Sequence, residues 1–597
     1  MILTLASFAF FTALVAGITW WKSRGGVDAG SDSGFFLAGR SLTFPFIAFS
    51  LLLTNLSTEQ LVGLNGQGYT TGLAVMMWEV VAVVAIVLMA LFFLPKFLKS
   101  GITTVPELLD IRFGAVAQFV CNLLFLLAYI FILLPMILYT GAKGMSGILD
   151  LKALTGIQSD TVLLWGGIWL IGLIGTGYAT FGGLKSIVIS DLLNGIGLLA
   201  GGFMITFFGL WACGKINLDP AAAAAADGSV ARGWANLLRD LPDHMNSIAG
   251  EGSQAPFFEI FTGVMLINTF YWCTNQQIIQ RTLAASSLEE GQKGVLLCGF
   301  LKLIGPMYLI LPGIMAYFLF KHGAIVPSSS AVVDEATGLL REANAYGELV
   351  RTVLPPWLAG FFAAAMLGAV LSSFNSALNS TCTLFSIGIH RKLFPAASEE
   401  RSVKAGKWFG LILAVAAMTL SPLLEAVPSI FGYLQKMNAI YFIPILAVVL
   451  LGLVSRRAKQ AAAVFGMVAG AGTIACGYFL LPLFGEKWDV VARLGEYDFA
   501  GLCFLAVFDL MLLWRLVSPS GSSHEFRDAK AVDLTPWRGA KWASAAMLAV
   551  IVAIYACFAD FTPLHVSGKV PWGSFVAKWC AAVAPTFVLL FLDRRRG

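Results

Sequence analysis

The sequence predicts an all-α polytopic membrane protein, and three observations predict it. Of its 597 residues, 58% are hydrophobic and only 12% are charged, against roughly 25% charged in a soluble domain. Apolar runs near the ~20 residues that a membrane-crossing helix needs recur from end to end, without the two-residue alternation of a membrane β-barrel. Two of these runs are interrupted by polar groups. The net charge of +5 gives no footing for a nucleic-acid partner. The basic residues flank the apolar runs, where they set topology in a lipid bilayer.

The runs number about fifteen, centred near residues 11, 56, 85, 130, 170, 200, 270, 308, 370, 414, 443, 470, 507, 550 and 584. The first, Met1 to Trp21, is followed rather than preceded by the basic residues Lys22 and Arg24. That order is the reverse of a secretory signal peptide, so it is expected to be a retained helix with its N-terminus outside. An odd count places the C-terminus in the cytoplasm. Lys96 and Lys99, Arg391 and Lys392, Arg456 and Arg457, and Arg594 to Arg596 fall on the expected cytoplasmic side. The outer loops are longer, as at 214–255 with its run Ala221 to Ala226. The nine cysteines lie mostly within apolar runs and form no CxxC pair, which argues for free thiols over a disulfide or metal framework. The five histidines lack paired spacing, so no zinc site is expected. No nucleophile–base motif points to an enzyme.

The two interrupted runs are the second and the seventh. Residues 50–69 read SLLLTNLSTEQLVGLNGQGY, and residues 267–277 read INTFYWCTNQQ. Unwound backbone is tolerated at membrane depth only where protein or a water-filled cavity satisfies it. Broken helices at matching positions of two halves point to an inverted-repeat secondary transporter with its site at the breaks.

Two constellations carry chemistry. In the ninth run, Ser372 and Ser373 place adjacent hydroxyls in an apolar helix. With freed carbonyls of the broken second run they suit a hard cation such as sodium; equally, such hydroxyls bond their own backbone or a neighbouring helix. The second constellation is a polar pocket. Glu59, Glu79, Asp191 and Lys302 are ionisable groups within apolar runs, where charge is costly and functional by default, unless they pair structurally. Gln60, Asn268, Gln435 and the pair Tyr271-Trp272 add neutral hydrogen-bonding groups and flat rings. Sugars need that combination.

These positions resemble the solute:sodium symporter family, in its sodium/glucose cotransporter branch. The resemblance covers nearly the whole chain. It rests on FFLAGRSL (35–42), TNLSTEQLVGLNGQGY (54–69), FGGLKSIVISD (181–191), FYWCTNQQIIQRTLAASSLEEGQKG (270–294) and SSFNSALNSTCTLFS (372–386). It implies a leucine-transporter-type fold: two inverted five-helix repeats at 43–212 and 257–452, an extra N-terminal helix within 1–40, and peripheral helices over 453–597. It implies a sodium site formed by the carbonyls of Leu53, Leu56 and Ala369 with the hydroxyls of Ser372 and Ser373. It implies sugar contacts from Asn55, Gln60, Glu79, Asn268, Lys302 and Gln435, with Tyr271 stacking as an inner gate braced by Trp272 and Asn55. Leu64, Trp78 and Phe431 match the outer gate. A candidate second cation site would use Asp191 and Ser376, but an amide, Asn375, replaces its other hydroxyl. Ala82 stands where a sugar-contacting serine occurs, which leaves the particular sugar open. The role of Glu59 is also left open.

The expected function is sodium-coupled import of a galactose- or glucose-like monosaccharide across a bacterial inner membrane. Sodium is the only cofactor-like species, co-transported with the sugar. The alternatives are another small solute (sialic acid, inositol, a nucleoside or an amino acid) or a transporter-like membrane sensor.

Overall fold

The computed structural model describes residues 2–23, 31–56, 58–149, 151–218, 228–328, 332–427, 430–520, 528–565 and 570–596. Arg24, Ser57 and the run Ala221 to Ala226 lie outside them. Among the described residues there are helices and isolated bridges, and no strand. The helices used below are, in chain order, α1 (Ile2–Ser23), α2 (Phe44–Asn55), α3 (Thr58–Thr70), α4 (Leu73–Ser100), α5 (Ala115–Leu149), α6 (Asp160–Gly214), α7 (Gly263–Cys273) and α8 (Gln276–Leu283). They continue with α9 (Leu288–Leu303), α10 (Pro306–Lys321), α11 (Pro356–Leu393), α12 (Glu399–Glu425), α13 (Ile430–Val454), α14 (Gln460–Phe484), α15 (Glu496–Val517), α16 (Ala540–Cys557) and α17 (Trp572–Arg596).

Twelve of the described helical segments are long and apolar enough to cross a membrane, or 14 when each bent pair counts as one span. The bent pairs are α2 with α3, at 60°, and α9 with α10, at 51°. The broken pair α7 and α8 adds the run centred on residue 270. All fifteen apolar runs of the sequence therefore fold as helices at the expected places.

Each bend has a local cause. α2 carries Pro45 in its first turn, where its missing N–H costs nothing. It stops at Asn55, where Asn and Thr side chains compete for backbone hydrogen bonds. α9 starts on Ser287, whose hydroxyl accepts the Glu290 N–H at 3.2 Å. It stops before Gly305-Pro306, because proline cannot donate to the preceding turn. α6 is divided at Gly183, which adopts φ +58 and separates two spans, Asp160–Ala179 and Gly183–Gly214.

The most enclosed span is α11, which packs against α6, α1 and α5. α2 lies between α9 and α6, and α3 packs on α10. α7 packs on α4 and α13, while α8 reaches α2 and α11. The two breaks thus lie against the same central helices. α1, α16 and α17 bury the least of their surface, as spans facing lipid should. All nine cysteines are free thiols.

Candidate functional site

The α2–α3 break supplies two sets of groups. The first is carbonyls. The last turn of α2 has no continuing helix to fill its acceptors; among the described residues the Leu56 N–H recaptures the Leu52 carbonyl at 2.7 Å. The Ser373 hydroxyl of α11 donates towards the carbonyls of Leu53 at 3.2 Å and Thr54 at 3.3 Å. Leu53, Leu56, Ala369, Ser372 and Ser373 are all buried. Ser372 Oγ faces Asp191, but at a geometry that falls short of a hydrogen bond. Hydroxyl and carbonyl oxygens gathered in this way are the donor set a hard cation prefers.

The second set lines a cavity of about 50 Å³, room for a few ordered waters. Asn55, Gln60, Glu79, Asn268, Tyr271, Lys302 and Gln435 all reach it, together with Glu59, Trp78 and Trp272. The Lys302 ammonium pairs with the Glu79 carboxylate and donates to Asn55 Oδ1 at 2.5 Å. The Tyr271 hydroxyl lies near Asn55 and accepts from Gln277 Nε2 at 3.5 Å. Asn55, Lys302 and Glu79 thereby form one chain across α2, α9 and α4, with Tyr271 of α7 beside it. Glu79 Oε2 presses against Gly305, where a Cβ would sit 2.7 Å from it; only glycine leaves room for the carboxylate at this bend. Asn438 donates to Gln435 Oε1 at 3.4 Å and accepts from Tyr441 at 3.2 Å, which orients Gln435. The Tyr271 and Trp272 rings meet edge to face at 5.4 Å. Trp78 meets Phe431 the same way at 5.5 Å. Leu64 is fully buried in α3. Leu64 and Phe431 stand outside the cavity lining, whereas Trp78 is part of it.

At Asp191 the structure brings in a residue that sequence reasoning missed. Asp191 Oδ2 accepts from Ser50 at 2.5 Å. The fully buried Arg281 of α8 donates to Ser50 at 2.8 Å and to the Gln277 carbonyl at 2.6 Å. It also bonds Ser376 Oγ and lies 4.0 Å from Asp191. Ser376 in turn donates to the Ser372 carbonyl at 2.5 Å. A guanidinium therefore already stands among the groups considered for a second cation. The signal for Arg281 was present but muted: it sits in the polar run QQIIQRTL, which reads as a helix end rather than as membrane interior.

The α7–α8 break is built differently. Asn275 caps α8 by accepting the Gln277 N–H at 3.4 Å, and it accepts the Tyr129 hydroxyl at 2.6 Å. Thr274 donates to the Phe270 carbonyl at 3.0 Å. Gln276 accepts the Val105 N–H at 2.9 Å and donates to the Thr103 carbonyl at 3.3 Å.

Comparison with known proteins places these features in a family. The sodium:solute symporter family model matches residues 35–470. An uncharacterized symporter of Escherichia coli (strain K12), YidK, is 38% identical over 601 residues, covering 100% of this chain and 97% of that one. A sodium/glucose cotransporter of Vibrio parahaemolyticus is 32% identical over 473 residues, covering 77% of this chain and 82% of its own length. Among solved structures, a Na+-coupled sialic acid symporter in a substrate-bound outward-open state aligns with a TM-score of 0.69 at 19% identity, over 87% of this chain and 99% of that one. The fold is therefore the leucine-transporter type expected from the sequence.

Proposed function

We propose that this chain, which belongs to the sodium:solute symporter family, imports a monosaccharide with sodium by alternating access. One observation carries the reading: the α2–α3 break serves both halves of the site. The Leu53 carbonyl, at one side of the break, meets Ser373. Asn55, two residues on, meets Lys302 and Tyr271 in the pocket. An ion drawn to the carbonyls and the two serine hydroxyls orders the break, and the ordered break fixes Asn55 and Gln60 for the solute. That is a differential affinity between two states, which coupling requires.

The pocket favours a hydroxylated ring. Its amides and charged pair offer both donors and acceptors, and its aromatic rings offer flat apolar faces. The sodium/glucose relative supports the same reading. A carboxylate such as sialic acid fits less well, because the pocket's one ammonium is already neutralised by Glu79. Trp78 with Phe431 forms the outer gate and Tyr271 with Trp272 the inner one, and the small cavity between them suits the stage when both are closed. Residues 43–212 and 257–452 act as the two inverted repeats. The orientation is N-terminus outside and C-terminus inside, in a bacterial inner membrane. Arg281 supplies the positive charge at Asp191, so the cycle carries one sodium ion. One charge crossing ~100 mV gives about 2.3 kcal/mol. At ~1.4 kcal/mol per decade that sustains roughly fifty-fold accumulation before the sodium gradient is added.

The test is uptake of radiolabelled glucose and galactose into proteoliposomes. Uptake driven by an inward sodium gradient and enhanced by a negative interior is expected. Equal uptake with potassium in place of sodium would contradict the proposal.

A further inference from the structure

The charge balance of the cavity is incomplete. Two carboxylates, Glu59 and Glu79, face it, against one cation, Lys302. Lys302 is committed to Glu79 and Asn55. Arg281, the other buried cation nearby, is committed to Ser50, Ser376 and the Gln277 carbonyl, beside Asp191. Glu59 sits in the first turn of α3, where its own backbone N–H holds the carboxylate. Its Oε2 is buried with no hydrogen-bond partner, and the residue is only 8% exposed. A helix N-terminus tolerates such a carboxylate, but it does not fill the second oxygen.

The fully buried unpartnered atoms of the lining residues have the same bias. Glu59 Oε2, Glu79 Oε2, Gln60 Oε1 and Gln277 Oε1 are buried acceptors without partners, against a single unpartnered donor, Trp78 Nε1. Ionised carboxylate oxygens accept only. A buried acceptor left empty costs about 1–3 kcal/mol, and more when it is charged. A neutral hydroxyl supplies one donor and leaves the charge standing. An ammonium supplies three donors and the missing positive charge in one group. The ring faces of Trp78, Tyr271 and Trp272 around it attract cations as well as sugar rings.

We propose that Glu59 is a specificity residue, and that it selects a solute bearing a protonated amine on a hydroxylated ring, an amino sugar in chemical class. This rests on the sugar-symport reading and narrows it. Glu79 and Lys302 hold ring hydroxyls as a neutral pair, while Glu59 takes the ammonium from the α3 side.

The probes are glucosamine, glucose and N-acetylglucosamine, bound to purified protein in nanodiscs with sodium at about pH 7, still below the ~7.7 of a typical α-amine. Wild-type protein is expected to bind glucosamine at least tenfold more tightly than the other two. Glu59→Gln, which keeps shape and removes charge, is expected to lose at least tenfold more affinity for glucosamine than for glucose. Thermal unfolding of the variant in the same nanodiscs checks that it is folded. Glu59→Asp, which keeps the charge, should retain the preference for glucosamine. Sodium-dependent binding of glucose with no preference for glucosamine would overturn this inference alone. Equal losses for both sugars in Glu59→Gln would overturn it too. Absence of sodium-dependent binding for all three sugars would overturn the sugar-symport reading and this inference with it.

Discussion

The two helix breaks use nearly the same residues to opposite ends. In the first, Thr58-Glu59-Gln60 follows the break, and each of the three has a buried oxygen with no partner. In the second, Thr274-Asn275-Gln276 spans the break, and each side chain is hydrogen-bonded within the protein. Buried polar groups are normally satisfied, and irregular backbone at membrane depth must be. The second break meets that rule at these three residues through Tyr129 and the 103–105 turn, and leaves unfilled only the neighbouring Gln277 Oε1 on the cavity side. The first meets it only with a ligand. Sequence similarity between the breaks therefore conceals a difference, which the proposed function reads as a division of labour: one binds, the other holds shape.

The largest expected effect tests the binding side. Lys302→Ala leaves Glu79 buried and unpaired, which costs about 3–5 kcal/mol. Solute affinity should fall by more than two orders of magnitude, and the unfolding temperature should drop. Adding Glu79→Gln should restore the unfolding temperature but not solute binding. Restored binding in that double variant would place the charged pair in a purely structural role.

The shape-holding side predicts a smaller and different effect. Asn275→Ala removes the α8 cap and the acceptor of the Tyr129 hydroxyl, which keeps only the Gln277 N–H at 3.3 Å, a loss of about 1–2 kcal/mol. It should lower the unfolding temperature and slow transport while leaving the sodium half-saturation within about twofold of wild type. Tyr129→Phe removes one of those two contacts and should cost about 1 kcal/mol in the same unfolding assay. A change in sodium half-saturation in either variant would erase the distinction between the breaks.

The smallest effect lies at the turn that leads into α7. Glu259, in the turn Phe257–Phe261, is pushed up to about 8 by burial, and then by Asp498 and Glu496. Its pKa is raised in the folded state, so its contribution to stability is full below about 4.5 and is lost as the pH climbs through about 8. The unfolding temperature of the wild type should therefore decline modestly across that interval. Glu259→Gln should flatten the decline, as read by thermal scans at several pH values.

The sequence made the span positions legible, because a 20-residue apolar run has few other uses. The pocket was legible for a related reason: Glu79, Lys302 and Tyr271-Trp272 stand out against apolar flanks. Arg281 escaped because its neighbours are polar, so nothing marked it as buried. Tyr129 escaped for the opposite reason, since an aromatic residue inside an apolar run reads as lipid-facing or core. Its hydroxyl gains meaning only from Asn275, 146 residues away in the chain. Pairings of that range come from the approach of α5 to the α7–α8 break, which no local pattern encodes.

The account turns on the first break being the sodium-responsive one. Sodium titration of solute uptake in proteoliposomes, comparing wild type, Ser373→Ala and Asn275→Ala, tests this most directly. A polar contact to a charge is worth about 1.5–3 kcal/mol. Ser373→Ala should therefore raise the sodium half-saturation roughly 10–100-fold, with Asn275→Ala unmoved. An unchanged sodium dependence in Ser373→Ala would contradict the account.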